Sequence, residues 1–339
     1  MIQFEKNREL QRAFQNLRDS MEMMQGYLSE LLPYMEGPLS IRDEQKVLSL
    51  RAKYHLPNRS LVIPKEDLLA QPYYKNIHLK DISFGDISYE ERTIEGRTLM
   101  NTDFSKPHGK YLFHDHPLGY FKESVSMPAL FEGDTLWMSP AISEFRSMEE
   151  VIKKGQGKCV TFGLGIGFIL YMWLRKKDVT EVTVVEENEK VIALFQQEIL
   201  PQFPKDKPIH VLQGNALDYF HDDFLKNYDY AFVDFWASTK DGLPALTKLL
   251  QKQVTSPHVD YWIEEAILMD LKYLVALYLH HLYEEKPLED FMMNQDLEMM
   301  PYAIKVTLFF KHFSMTLTTE RDLLHLLHSK KILRAILSI

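Results

Sequence analysis

Apolar residues recur at helical spacing from the start of the chain: Leu10, Phe14, Leu17, Met21, Met24, Leu28 and Leu31, with stops at Pro33 and at Gly37-Pro38. That period predicts a helical opening over residues 1 to about 55. From about 60 to 135 the texture changes to short runs such as "SLVIP", "DISFGDISYEERTIEGRTLM" and "KYLFHD", separated by Gly, Pro, Asn and Asp. A small antiparallel β region is expected there. From about 139 the two periods alternate. "SPAISEFRSMEEVIKKG" carries Pro140 near a helix start, a capping-box pattern from Ser147 to Glu150, and Gly155 near its end. Strand "KCVTFGL", helix "GFILYMWLRKK", strand "EVTVVE", helix "NEKVIALFQQEIL", strand "IHVLQG", a short helix near "ALDYF" and strand "YDYAFVDFW" follow in turn. Such alternation implies parallel pairing through right-handed crossovers, and so an open, doubly wound α/β sheet. Beyond it "DGLPALTKLLQKQ" reads as a helix, "VDYWIEEAIL" as holding another strand, 266–283 as a largely buried helix and 285–339 as mostly helical. The expected organisation is a helical and β region over 1–135, the sheet domain over 136–265 and a helical extension over 266–339.

Composition narrows the partners. A net charge of −9 supplies no field that would draw the chain to nucleic acid or to an anionic membrane. The single cysteine, Cys159, lies in an apolar run, which excludes an internal disulfide framework, suits a reducing compartment and reads as a small buried hydrophobe. "MIQFEKNREL" is charged from its fifth residue and lacks the apolar core of a signal peptide, so a cytoplasmic location is expected. The most apolar segment, 266–283, is interrupted by Asp270, Lys272, His280 and His281, too polar for a membrane span of about 20 residues.

"CVTFGLGIGFIL", residues 159–170, breaks a strand-like run with Gly163, Gly165 and Gly167. Glycine weakens a strand, and close approach of the backbone to a ligand is the usual reason for tolerating it. The glycines lie where the first strand hands over to a helix, and sheets of this kind bind ligands beyond the carboxyl ends of their strands. The next strand ends in Glu186, whose carboxylate suits the two hydroxyls of a ribose. A dinucleotide site would need a third glycine where Phe168 stands, and no G-K-[ST] follows as a phosphate loop requires.

With these residues the sequence resembles the class I S-adenosylmethionine-dependent methyltransferases, a superfamily that includes aminopropyltransferases of the spermidine synthase type. The likeness covers roughly residues 130–245. It implies a Rossmann-like sheet, with the turn from Gly163 through Gly165 to Gly167 against the methionine part of the cofactor and Glu186 on its ribose. It also implies a contact to adenine from Asn215, which stands in "QGNALDYF" where the family has an acid, and it sets Asp234 facing the transferred group. Thr161 replaces the acid that often opens the glycine loop, as it is also replaced in spermidine synthases, and "EILPQF" and "EGDTLWMSPAISEF" are similar to theirs. Yet Asp234-Phe235-Trp236-Ala237 departs from the D-S-x-D-P run that supplies their second diamine-binding acid, and the tyrosine-histidine pair they carry is missing near Ser147 and Met148. "DFWASTKDGLP" is similar to a run in bacterial methyltransferase-like proteins.

Methyl transfer is an in-line displacement, for which an enzyme supplies positioning and, where the acceptor must lose a proton, a base. Asp234 is the candidate for orienting or deprotonating the acceptor, or else a cap or a holder of the cofactor's amino group. Trp236 either walls the acceptor pocket, with cation–π attraction to a sulfonium, or packs in the core. Glu144 and Asp241 read as surface charges that are weaker candidates for the site. His108, His114, Asp115 and His116 match no established metal spacing, so no metal is expected, and a hairpin with its histidines on a solvated side is the plainer reading. No Gly-x-Ser-x-Gly, H-E-x-x-H or C-x-x-C is present. The expectation is an S-adenosylmethionine-dependent methyltransferase with a small-molecule acceptor. The alternatives are an aminopropyltransferase, or a catalytically degenerate binding protein using 1–55 and 285–339 as homo-oligomer surfaces.

Overall fold

A computed structural model describes residues 2–139, 141–256 and 258–339, so the helix-start role read for Pro140 lies outside the described residues. Five parallel strands form the central sheet: β1 (Gly157–Phe162), β2 (Val179–Glu186), β3 (Ile209–Gln213), β4 (Tyr230–Val233) and β5 (Val259–Tyr261). Their spatial order is β3-β2-β1-β4-β5. Strands buried on both faces read as continuous apolar runs, and Cys159, Val160, Val182, Val184, Val185, Phe232 and Val233 are all enclosed. Burial pushes the Cys159 thiol up to about 12, which leaves it an inert hydrophobe. Crossovers run through the helices Phe168–Leu174, Glu189–Leu194 with a π turn at Phe195–Ile199, the short Ala216–Tyr219 and Asp222–Leu225, and Thr239–Gln251. The fold is thus mixed α/β.

The helix before β1 spans Ile142–Lys154, with Ala141 as its extended cap and Gly155 closing it. Ser147 is therefore mid-helix and no capping residue: its hydroxyl donates to the Glu144 carbonyl and accepts from Trp262 Nε1 at 2.9 Å. Mid-helix serine satisfies itself on the preceding turn, which a sequence pattern cannot tell from a cap.

The opening helix Arg8–Leu31 is capped by Asn7, which accepts from the Leu10 N–H at 2.9 Å. It buries Leu10, Phe14, Leu17, Met24 and Leu31 as expected, with Tyr27 buried in place of Leu28, which is exposed. The next helix is Ile41–Lys53. The β region departs from the antiparallel expectation. Its main sheet is antiparallel, ordered Thr135–Met138, Val125–Glu132, Ile87–Ile94, Ile82–Phe84, but Val62–Ile63 pairs in parallel with Leu118–Phe121, and two short helices, Glu66–Leu69 and Pro72–Asn76, interrupt the region. Ile2–Phe4, unforeseen as a strand, pairs in parallel with Met315–Leu317. Helix Glu264–Tyr283 is enclosed by Thr239–Gln251, Met300–His312, Glu320–His328 and Lys330–Leu337, and one continuous core reaches from Ile2 to Leu337. No described helix is long and apolar enough to cross a membrane.

The histidine hairpin is not solvated. His114 and Asp115 pair with Lys106–Pro107 and both are buried, because Asp115 meets the equally buried Arg51 at 2.9 Å. The guanidinium also donates to the carbonyls of Pro57 (3.0 Å) and His116 (3.1 Å). Removing one partner of such a pair strands the other charge, so Arg51→Met should cost roughly 3–5 kcal/mol. Urea unfolding at constant m-value checks this, and the double variant Arg51→Met with Asp115→Leu should recover most of the loss; an unchanged midpoint in the single variant would refute it.

Candidate functional site

Sheet register brings the candidate residues together. Phe162 pairs with Val185 on one side and Val233 on the other, so the residues that follow, Gly163, Glu186 and Asp234, leave the sheet side by side. They emerge where strand order reverses between β1 and β4, the place where open parallel sheets form a crevice. A cavity of about 640 Å³ opens there, walled by Gly163, Gly165, Glu186, Asn215, Asp234 and Trp236, and by Glu144 and Asp241. Gly167 is not part of its wall.

The three glycines answer to protein neighbours first. All have positive φ: +104° at Gly163, +51° at Gly165 and +72° at Gly167. A Cβ on Gly163 would stand 1.8 Å from the Asp234 carbonyl oxygen, so the turn after β1 and the end of β4 touch backbone to backbone. At Gly165 the obstacle is Met138 Sδ at 2.4 Å, and at Gly167 the Phe195 ring at 2.6 Å. Gly167 is thus a packing residue that starts the helix Phe168–Leu174, and the ligand-approach expectation is corrected there.

Glu186 ties the turn to the neighbouring helix. Its Oε2 accepts from the Leu164 N–H at 3.0 Å and its Oε1 from the Asn188 N–H at 2.9 Å. Burial raises its pKa, against the pull of the Asn188, Leu164 and Glu187 amides. Each oxygen keeps a second lone pair, enough for two hydroxyls. Asn215 Oδ1 caps the helix Ala216–Tyr219 by accepting from Leu217 N–H at 2.8 Å, while Nδ2 donates to both Glu187 oxygens at 3.1 Å. Its amide is oriented by these partners, so the oxygen expected to meet an exocyclic amine already holds one donor.

On the other side of the cavity Asp234 has no side-chain hydrogen-bond partner among the described residues, and burial pushes its carboxyl up to about 7. Glu144 faces it. Burial first, and then the charge of Asp234, raises the Glu144 carboxyl well above the usual range, and its Oε2 is buried without a partner. The surface-charge reading of Glu144 is therefore overturned: helix Ile142–Lys154 delivers it inward, beside a strand from a distant part of the sequence. Asp241, also in the cavity wall, is held by the Ala237 N–H at 2.7 Å and by the Ser238 hydroxyl. Trp236 is 4% exposed with its indole N–H buried and unpartnered, so it serves both core and cavity. Trp137 and Trp262 add two more aromatic walls that no sequence pattern marked.

The charge balance is one-sided. Glu132, Glu144, Glu186, Glu187, Asp234 and Asp241 line the cavity against one cation, Lys248. Carboxylates among tryptophan faces favour a positively charged ligand. Among the described residues no three His, Cys, Asp or Glu side chains are arranged to hold a metal ion. No protein-family model matches the chain, and no curated protein matches it.

Proposed function

We propose that the chain is an S-adenosylmethionine-dependent methyltransferase acting on a small-molecule acceptor, built on a Rossmann-like, doubly wound sheet of the class I methyltransferase type. The observation that carries this reading is the convergence of Gly163, Glu186 and Asp234 at one sheet edge, around a cavity of about 640 Å³. The strand order β3-β2-β1-β4-β5 supports it, as does the volume, which falls within the roughly 300–1,000 Å³ of small-ligand pockets. In this reading Glu186 accepts from the ribose hydroxyls, the 163–165 turn lies along the methionine part, and Asn215 and Leu217 border the adenine. The cofactor supplies an electrophilic methyl on a sulfonium, whose charge suits the acidic cavity. Asp234 orients the acceptor and takes its proton as the lone pair attacks, and Trp236 excludes water.

One observation favours a second reading. Glu144 joins Asp234 in the cavity, supplying the second acid that the sequence lacks after β4, and a carboxylate pair suits a diamine receiving an aminopropyl group from decarboxylated S-adenosylmethionine.

Calorimetric titration of the purified protein with S-adenosylmethionine, its decarboxylated form and NAD tests both. The leading reading expects micromolar binding of the first, weakened about tenfold or more in Glu186→Ala by loss of charge-assisted hydrogen bonds. Glu186→Gln, which keeps an oxygen for one of the Leu164 and Asn188 amides and turns an NH2 towards the other, should bind at an intermediate level. Preference for the decarboxylated form would put aminopropyl transfer first. No binding of any would overturn both and leave a degenerate assembly protein.

A further inference from the structure

A second cavity, of about 1020 Å³, runs between the helices Arg8–Leu31 and Glu264–Tyr283. A thin wall separates it from the first: Trp262 lines one cavity, Phe104 the other, and their rings meet edge to face with centroids 5.8 Å apart. Leu17, Met21, Met24, Met269 and Leu277 make its sides apolar and adaptable, methionine being the side chain that best reshapes around a guest. Its mouth stays open, with Leu28 41% and Leu277 42% exposed.

Polar side chains line it too, among them Asn101, Ser105, His116 and Ser143, and one polar group stands out by its burial. His114 lines the cavity, is 5% exposed, and has both Nδ1 and Nε2 buried without a hydrogen-bond partner among the described residues. An orphaned buried polar group is costly, so the folded chain carries an unmet demand at this spot. Burial first, then Lys272, His116 and His328, lowers the imidazole to about 4, so it is neutral and offers one donor and one acceptor. Nearby, Arg18 pairs with Glu284 and Asp103 with Lys106, burial lowers His280 and raises Asp270 towards their neutral forms, and Glu22 is exposed. These pairings and shifts favour a neutral guest over an ionic one.

We propose that this cavity is a binding site for a small neutral amphiphile, an apolar chain or ring bearing one hydroxyl, which hydrogen-bonds to one ring nitrogen of His114 while its body lies among the methionines. The site is independent of the cofactor reading. A partner helix could cover the mouth, but its own backbone is satisfied internally and leaves the imidazole unmet.

The test uses the full-length protein and N-phenyl-1-naphthylamine, whose fluorescence rises in apolar sites, displaced by decan-1-ol or by its isomer 1-methoxynonane, which has no O–H. Wild type should prefer the alcohol by about tenfold, the worth of one buried hydrogen bond. His114→Leu should keep the naphthylamine and lose the preference, and His114→Gln, which returns a donor and an acceptor, should recover part of it. Ala266→Phe, which narrows the groove, should weaken all three ligands and keeps the proposal testable should His114→Leu fail to fold. No naphthylamine binding, a preference unchanged in His114→Leu, or a self-associated form in sedimentation that shuts the reporter out would overturn the proposal.

Discussion

Replacing Asp234 by asparagine is expected to lower turnover by about 10²–10⁴-fold, the usual worth of a positioned base, with cofactor binding retained. The same change should stabilise the protein at alkaline pH. Burial sets the folded-state pKa near 7, above the roughly 4 of an unfolded aspartate. Between those values the folded chain holds the proton and the unfolded chain does not, so stability falls as pH rises through that window. Asparagine stays neutral and avoids the cost. Asp234→Asn should therefore exceed wild type in unfolding midpoint at pH 8, and the advantage should shrink towards pH 4. Glu144, also raised and facing Asp234, titrates with it, so the pair and not one residue sets the profile. In wild type the rate should rise with pH through about 7, and the variant should lack that limb. Full turnover with an unchanged pH profile in Asp234→Asn would remove the base from the mechanism.

The second large effect is expected at Gly163. Alanine there meets both a φ of +104° and a backbone oxygen 1.8 Å from its Cβ, neither of which a rotamer change relieves. Left-handed backbone costs about 1–3 kcal/mol, and the contact forces β1's turn away from β4, so a total of roughly 3–5 kcal/mol follows. S-adenosylmethionine binding should go with it, since the displaced 163–165 turn is the segment read as lying along the cofactor's methionine part. Gly165→Ala is the internal control. Its obstacle is Met138 Sδ, a flexible group that can swing aside, and its loss should stay near 1–2 kcal/mol. Denaturant midpoints that ranked the two variants the other way would refute the backbone-contact explanation.

These glycines also show what a sequence can convey. Their presence marked an unusual turn, but the cause, a neighbouring carbonyl and a phenylalanine ring, belongs to segments far along the chain. The alternation after residue 139 was legible because parallel strands enclosed on both faces, such as Val182–Val185, cannot be mistaken for amphipathic helices. Two-residue strands like Val62–Ile63 carry no period, so their parallel pairing left no trace. Glu144 was misread for a physical reason: acids in a first helical turn are ordinary, and only β4's arrival makes this one interior. His114 was legible as a histidine in a hairpin, yet its burial depends on the helices that flank it.

Pairing of Ile2–Phe4 with Met315–Leu317 has a kinetic consequence. Asn7, the cap of the first helix, also donates to the Thr318 carbonyl across 311 positions. Closing so long a loop costs about 5 kcal/mol in chain entropy before any contact repays it. Synthesis delivers the earlier partner first, so Phe4 and Phe14, which later meet the Tyr283 ring, wait without it until more than 260 further residues have been made. The start of helix Arg8–Leu31 then docks late, although Tyr27 and Leu31 find Val47 and Leu50 early, and during that interval the apolar face around Phe14 is one that a chaperone would shield.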